Sequence, residues 1–270
     1  MLPNWIEKAE NLYKQQLSFT EIGRRLNVDR KKVSYYLQKL GYKPNHKFMP
    51  KTEVIQKNKI FINDNYFEVI DTEHKAYWLG FLYADGYISE TKNNIELSLK
   101  ESDLEHLKLF QKDLESKHEL KKKIKDNCYI SYRLSFNSKK MKQDLIKKGC
   151  IPNKSLVLKF PNIEQVPQEL IPHFIRGYFD GDGCITKHAT SSISLEILGT
   201  EELLKGICDY FNIKGHIYTF NHSSVKRFMI AGNEAIKILD CLYKDSTIHL
   251  NRKFDKFAVI RQNSLKSNNN

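Results

Sequence analysis

The chain is poor in cysteine. Five occur among 270 residues (Cys128, Cys150, Cys184, Cys208 and Cys241), an odd number, and no two stand in C-x-x-C spacing. That argues against a disulfide framework or a thiolate zinc site and fits a reducing, cytoplasmic setting. Long apolar runs are also missing. No stretch reaches membrane-spanning length, and the N-terminus lacks the apolar core of a secretory signal, so no membrane partner is expected. Acid is in short supply: 32 Asp and Glu face 44 Lys and Arg, a formal net charge of +12. Such a surplus suits a polyanionic partner, most simply nucleic acid.

One short pattern occurs twice. The first copy is Trp78-Leu79-Gly80-Phe81-Leu82-Tyr83-Ala84-Asp85-Gly86, and the second is Ile175-Arg176-Gly177-Tyr178-Phe179-Asp180-Gly181-Asp182-Gly183. Each reads as an apolar helix whose last turn delivers an acid. Tyr77, Gly80 and Ala84 share one face, as do Phe174, Gly177 and Gly181. Small residues four apart weaken a helix but let two backbones approach closely. If the two helices pack face to face, Asp85 and Asp182 stand side by side. Two close carboxylates repel, and a divalent metal is the usual remedy. An EF-hand starting at Asp180 is excluded, because Cys184, Ile185 and Ser191 occupy its fifth, sixth and twelfth positions. A single helix ending in Asp-Gly is an ordinary core helix with a polar stop; two copies call for a common cause.

Both stretches resemble the L-A-G-L-I-D-A-D-G signature of the homing endonucleases. The second ends in the D-G-D-G form common there, and the first carries Tyr83 where that family often has its other Asp. The resemblance implies Mg²⁺, with Mn²⁺ as a substitute, held by Asp85 and Asp182 with the backbone carbonyls of Ala84 and Gly181. It implies hydrolysis of both strands of double-stranded DNA at a long site, leaving 3′ overhangs. In that family a lysine from each half lies near the scissile phosphate. Lys154 and Lys253 are the candidates, and Arg252 competes with Lys253 because it keeps the stricter spacing.

The flanking segments repeat as well. Ile95–Lys100 and Ile193–Ile197 alternate as half-buried strands. A helix, another strand (Tyr129–Phe136 and Arg227–Ile230) and another helix follow each. The expected fold is α+β, with two pseudo-symmetric αββαββα halves, about 71–160 and 168–262, within a domain spanning 71–262. By resemblance the halves form a saddle on duplex DNA. Away from the apolar positions lie Glu96, Ser98, Lys100, Tyr129, Ser131, Arg133 and Ser135 in the first half. In the second, Lys187, His188, Thr190, Ser192, Ser194 and Lys226 are expected there. These are groove-reading residue types on a β-ribbon, although alternation alone fits solvent-facing polarity equally.

Ahead of this domain, residues 1–43 read as three short helices. Ser18 to Glu21 has capping-box spacing, Asp29 can cap the third helix, and Gly41 ends it. The pattern from Leu17 to Leu40 resembles the helix-turn-helix of resolvase-like and repressor-like DNA binders. Arg30, Lys31, Ser34, Tyr35 and Gln38 would then face the major groove. Residues 44–70, with Pro44 and Pro50, read as a linker whose Lys47, Lys51, Lys57 and Lys59 could follow a DNA backbone. Residues 263–270 read as a polar tail. The terminal splice residues of an intein are absent, which implies a free-standing protein. The two halves supply their own pseudo-twofold, which implies a monomer. A non-catalytic DNA-binding regulator and an intron-RNA maturase are the competing readings on the same scaffold. Such regulators have generally lost the acids that both copies keep here.

Overall fold

Chain packing divides the protein into two units, residues 1–59 and 60–270. The computed structural model describes residues 2–44, 60–125, 129–187, 193–213, 216–219 and 225–267. His188, Thr190, Ser192 and the linker lysines Lys47, Lys51, Lys57 and Lys59 lie outside the described residues. Among the described residues no helix is long and apolar enough to cross a membrane.

The first unit holds α1 (Ile6–Lys14), α2 (Phe19–Leu26) and α3 (Arg30–Lys39). Ser18 Oγ accepts from the Glu21 amide at 3.3 Å, and Asp29 Oδ1 accepts from the Lys31 amide at 2.8 Å, so both helices start on side-chain caps. The reciprocal half of the capping box is not made: Glu21 turns to Arg24, at 2.6 Å, and Arg25, at 3.2 Å. Asn27, at φ 52°, turns the chain tightly between α2 and α3. A Cβ on Gly23 would sit 2.7 Å from the Val28 carbonyl oxygen, so glycine is required where the turn folds back on α2. Ile6, Ala9, Phe19, Ile22, Val33 and Leu37 form this unit's own core.

The second unit repeats one order of elements. The first half runs α4 (Glu73–Asp85), β1 (Gly86–Ile88), β2 (Asn94–Lys100), α5 (Leu104–Asp113), β3 (Lys121–Lys125), β4 (Tyr129–Asn137) and α6 (Lys139–Lys147). The second runs α7 (Ile171–Asp182), β5 (Gly183–Lys187), β6 (Ile193–Gly199), α8 (Glu201–Phe211), β7 (His216–Thr219), β8 (Lys226–Ala231) and α9 (Gly232–Tyr243). A last helix, α10 (Asn251–Ser267), follows. Each half builds a four-stranded antiparallel sheet, ordered β1-β2-β4-β3 and β5-β6-β8-β7. The fold is therefore α+β with two matching αββαββα halves. Ile95, Leu97 and Leu99 of β2, and Ile193, Leu195 and Ile197 of β6, turn one sheet face into a common core.

One boundary needs correction. The segment 60–70 is not linker: it belongs to the second unit, and Ile62, Tyr66, Phe67 and Ile70, part of its apolar stretch, are buried in that unit's core. The last helix, α10, continues into the polar tail as far as Ser267. The two halves do not keep the motif spacing along their sheets. Gly86 pairs with Leu97 and Gly183 with Ile197, so Ile197 matches Leu97. The hairpin after the second motif is longer, and a spacing copied from the motifs misses that.

Candidate functional site

The site begins with the crossing of α4 and α7. A Cβ on Gly80 would lie 2.0 Å from the Phe174 carbonyl oxygen, and one on Gly177 would lie 1.9 Å from the Tyr77 carbonyl oxygen. Backbone thus meets backbone, which only glycine allows. One turn lower a Cβ on Gly181 would meet Ala84 Cβ at 2.3 Å and Asp85 Oδ2 at 3.4 Å. The small faces pack together, and the two helices end side by side in Asp85 and Asp182.

The electrostatics report that closeness. The Asp182 carboxyl is pushed up to about 6, first by burial and next by the charge of Asp85. Burial also raises Asp85, against the pull of Lys253 and Lys154. Asp85 nevertheless keeps a solvent-exposed face although protein crowds around it, so the pair is open to a ligand. Among the described residues no cluster of three or more His, Cys, Asp or Glu side chains suits a metal. The oxygens that could hold an ion here are the two carboxylates and the carbonyls of Ala84 and Gly181, in last turns where helical carbonyls lose their in-helix partners. This all-oxygen set suits Mg²⁺, which takes one or two carboxylates and fills its shell with water and phosphate.

Lys154 and Lys253 stand under these helix ends. Lys154 is 8% exposed, and its Nζ donates to the Gly86 carbonyl. Lys253 is 5% exposed and donates to the carbonyls of Phe179 at 2.5 Å and Asp180 at 2.8 Å. Burial pulls the Lys253 ammonium down to about 8, opposed by Asp180. Arg252 does not share this place; its Nε donates to Asp103 at 3.1 Å.

Sequence reasoning missed the supports of this site. Asp180 is fully buried and accepts from Tyr77 Oη at 2.8 Å, Tyr243 Oη at 2.5 Å and the Leu250 amide at 2.7 Å. It thereby ties α4, α9 and the start of α10 to α7. Tyr77 Oη also meets His106 Nε2 at 2.8 Å, and burial pulls that imidazole down to about 4. Tyr83, at the matching place in α4, donates instead to the Lys148 carbonyl at 2.6 Å. Arg176, 1% exposed, reaches Glu73 of the other half at 2.6 Å and the carbonyls of Ile248 at 2.9 Å and Leu242 at 2.8 Å. The available signal was a charged residue inside an apolar helical run; its partners lie in other segments at no fixed spacing.

On the sheets the expected groove residues divide. Ser98 and Lys100 are exposed on the outward face, and Arg133 lies beside them, 3.2 Å from Glu96. Ser131 shares that face but is closed off between Lys100 and Lys123, its cross-strand partners. Ser194, between Thr186 and Ala231, is likewise closed to solvent. Lys187 and Lys226 are corrected: they pair with Ile193 and Gly199, which puts both on the parity of the core face. Neither strand end showed an alternation that would have set its parity. Thr186 and Arg227 take the outward places instead. In the first unit Arg30, Lys31, Tyr35 and Gln38 are exposed on α3, and Ser34 accepts from Gln38 Nε2 at 2.8 Å.

No protein-family model matches the chain, and no curated protein sequence does. Solved structures show similarity. I-SmaMI, a meganuclease bound to uncleavable DNA, aligns with a TM-score of 0.47 at 12% identity, over 72% of this chain and 91% of that one. I-LtrWI, a LAGLIDADG homing endonuclease bound to target DNA, gives 0.49 at 11% identity, over 76% and 92%. Full-length WhiA from Thermatoga maritima gives 0.46 at 19% identity, over 75% and 65%.

Proposed function

We propose that the chain is a metal-dependent, site-specific double-strand DNA endonuclease of the LAGLIDADG kind. The observation that carries this is the meeting of Asp85 and Asp182 at a glycine-lined crossing between two matching halves. Asp85 and Asp182, with the carbonyls of Ala84 and Gly181, would hold Mg²⁺ or Mn²⁺. Held there, such an ion would supply Lewis-acid chemistry, polarising a water and offsetting charge at the phosphate. The chain's own residues fix the rest. Lys154 and Lys253 hold the helix ends through backbone carbonyls. Their positive charge beside the paired acids would also offset charge at a bound phosphate. Each half serves one strand, so one chain acts as a monomer and leaves 3′ overhangs. The three-helix unit lengthens the footprint through α3, in the manner of a helix-turn-helix.

The test is cleavage of a randomised duplex library in Mg²⁺, with the cut ends sequenced, for the wild type, Asp85→Asn and Asp182→Asn. The reading expects one long enriched site with 3′ overhangs, lost in both variants. Cutting by Asp182→Asn at the wild-type rate refutes it. Enrichment by binding without cutting, in Mg²⁺ and Mn²⁺, establishes the regulator. Neither binding nor cutting of DNA directs the search to intron RNA.

A further inference from the structure

The two sheets have the same topology and different outward chemistry. In the first sheet the register places Lys100, Lys121, Lys123, Lys125 and Arg133 on the outward face, with Glu96 as the acid among them. The four lysines are exposed. Lys100 and Lys123 flank Ser131 in one cross-strand row, and Lys121 stands opposite Arg133. In the second sheet the outward cation among the described residues is Arg227, and it is engaged: it lies 3.6 Å from Glu196 and 5.3 Å from the ring centroid of Tyr218. Its cross-strand neighbour is Leu198, and Met229 stands opposite Glu196. Leu198 is 41% exposed and Tyr218 38%.

Lysines on an open strand engage phosphates, which release counterions and carry no sequence information. Leucine and methionine cannot engage phosphate. On a face that enters the major groove, their natural partner is the C5-methyl group of thymine. Resting on the DNA-binding part of the reading above, we propose that the halves divide recognition: the first sheet grips its half-site by charge, and the second reads thymine methyls through Leu198 and Met229.

The experiment uses the full chain and the duplex recovered from the library, with deoxyuridine replacing thymine in one half-site or the other. That swap deletes the methyl and keeps the base pair. The expected result is a loss of about fourfold in affinity per contacted methyl, in one half-site only. Leu198→Ser should bind the thymine duplex with a comparable loss and give up one methyl's share of the sensitivity to deoxyuridine, keeping the share read by Met229, because variant and swap remove the same contact. The triple variant Lys121→Gln, Lys123→Gln, Lys125→Gln should keep the recovered sequence and flatten the slope of log affinity against log salt by roughly 2–3, at about 0.9 per phosphate contact. Equal sensitivity to deoxyuridine in both half-sites, no thymine enrichment on either side, or an unchanged salt slope overturns the division. Binding without cutting removes the endonuclease reading and leaves this one standing, whereas absence of DNA binding removes both.

Discussion

Burial and the neighbouring Asp85 push the Asp182 carboxyl up to about 6, well above an ordinary aspartate. Its folded pKa is raised, so its contribution to stability is fully present below about pH 4 and is lost as pH rises through 6. At neutral pH the ionised pair therefore costs stability, on the order of 1–2 kcal/mol after solvent screening. Asp182→Asn should unfold at a higher temperature than the wild type at pH 7.5, with the gap closing toward pH 4. Divalent cation should raise the melting temperature of the wild type and not that of the Asp85→Asn, Asp182→Asn double variant. Burial raises the Asp180 carboxyl as well, but this one is held by partners. It is buried with three donors and Lys253 around it, so Asp180→Ala should destabilise by about 3–5 kcal/mol, read by denaturant titration. The acids at the helix ends were legible in the sequence because the motif repeats. The role of Asp180 was not, since Tyr77, Tyr243 and Leu250 lie far from it along the chain.

Between elements, the crossing of α4 and α7 decides whether the acids meet. In an exposed helix a Gly-to-Ala change would gain about 1 kcal/mol. Here a Cβ at Gly80 or Gly177 lands within 2.0 Å of a carbonyl oxygen on the opposite helix, so steric cost outweighs propensity. Gly80→Ala and Gly177→Ala should each lose more than about 3 kcal/mol by thermal or chemical denaturation. Any folded fraction should cleave poorly, because the aspartates are forced apart. The small-residue faces told this much in advance. Strand parity was harder to read. Arg227-Phe228-Met229-Ile230 does not alternate cleanly, and a shift of one residue moves Lys226 or Arg227 to the other face.

Across the whole molecule, the two units have separate apolar cores, one built on Ile22, Val33 and Leu37, the other on the seam helices and sheets. A fragment of residues 60–270 should therefore fold alone, with the thermal transition of its own core. By the proposed function it should keep cleavage while its footprint shortens. An unchanged footprint, measured by hydroxyl-radical protection, would leave the three-helix unit without a DNA role. The duplication was visible at this scale because whole elements recur in order. The unequal hairpins and the contrasting sheet faces required coordinates.

The ion pair of Glu73 with Arg176 has a consequence for how such a chain can be rearranged. It is one-sided: Glu73 belongs to the first half and Arg176 to the second, while the matching places hold Leu170 and Leu79. Two copies of the second half would bury a guanidinium with no carboxylate to meet it, and two copies of the first would leave the carboxylate alone. Either mismatch costs about 3–5 kcal/mol per lost partner. Expressed as separate chains, the halves should associate as unlike pairs and refuse like ones. Past duplication, the gene product is thus no longer interchangeable with a dimer of either half, and its order of halves is written into the seam.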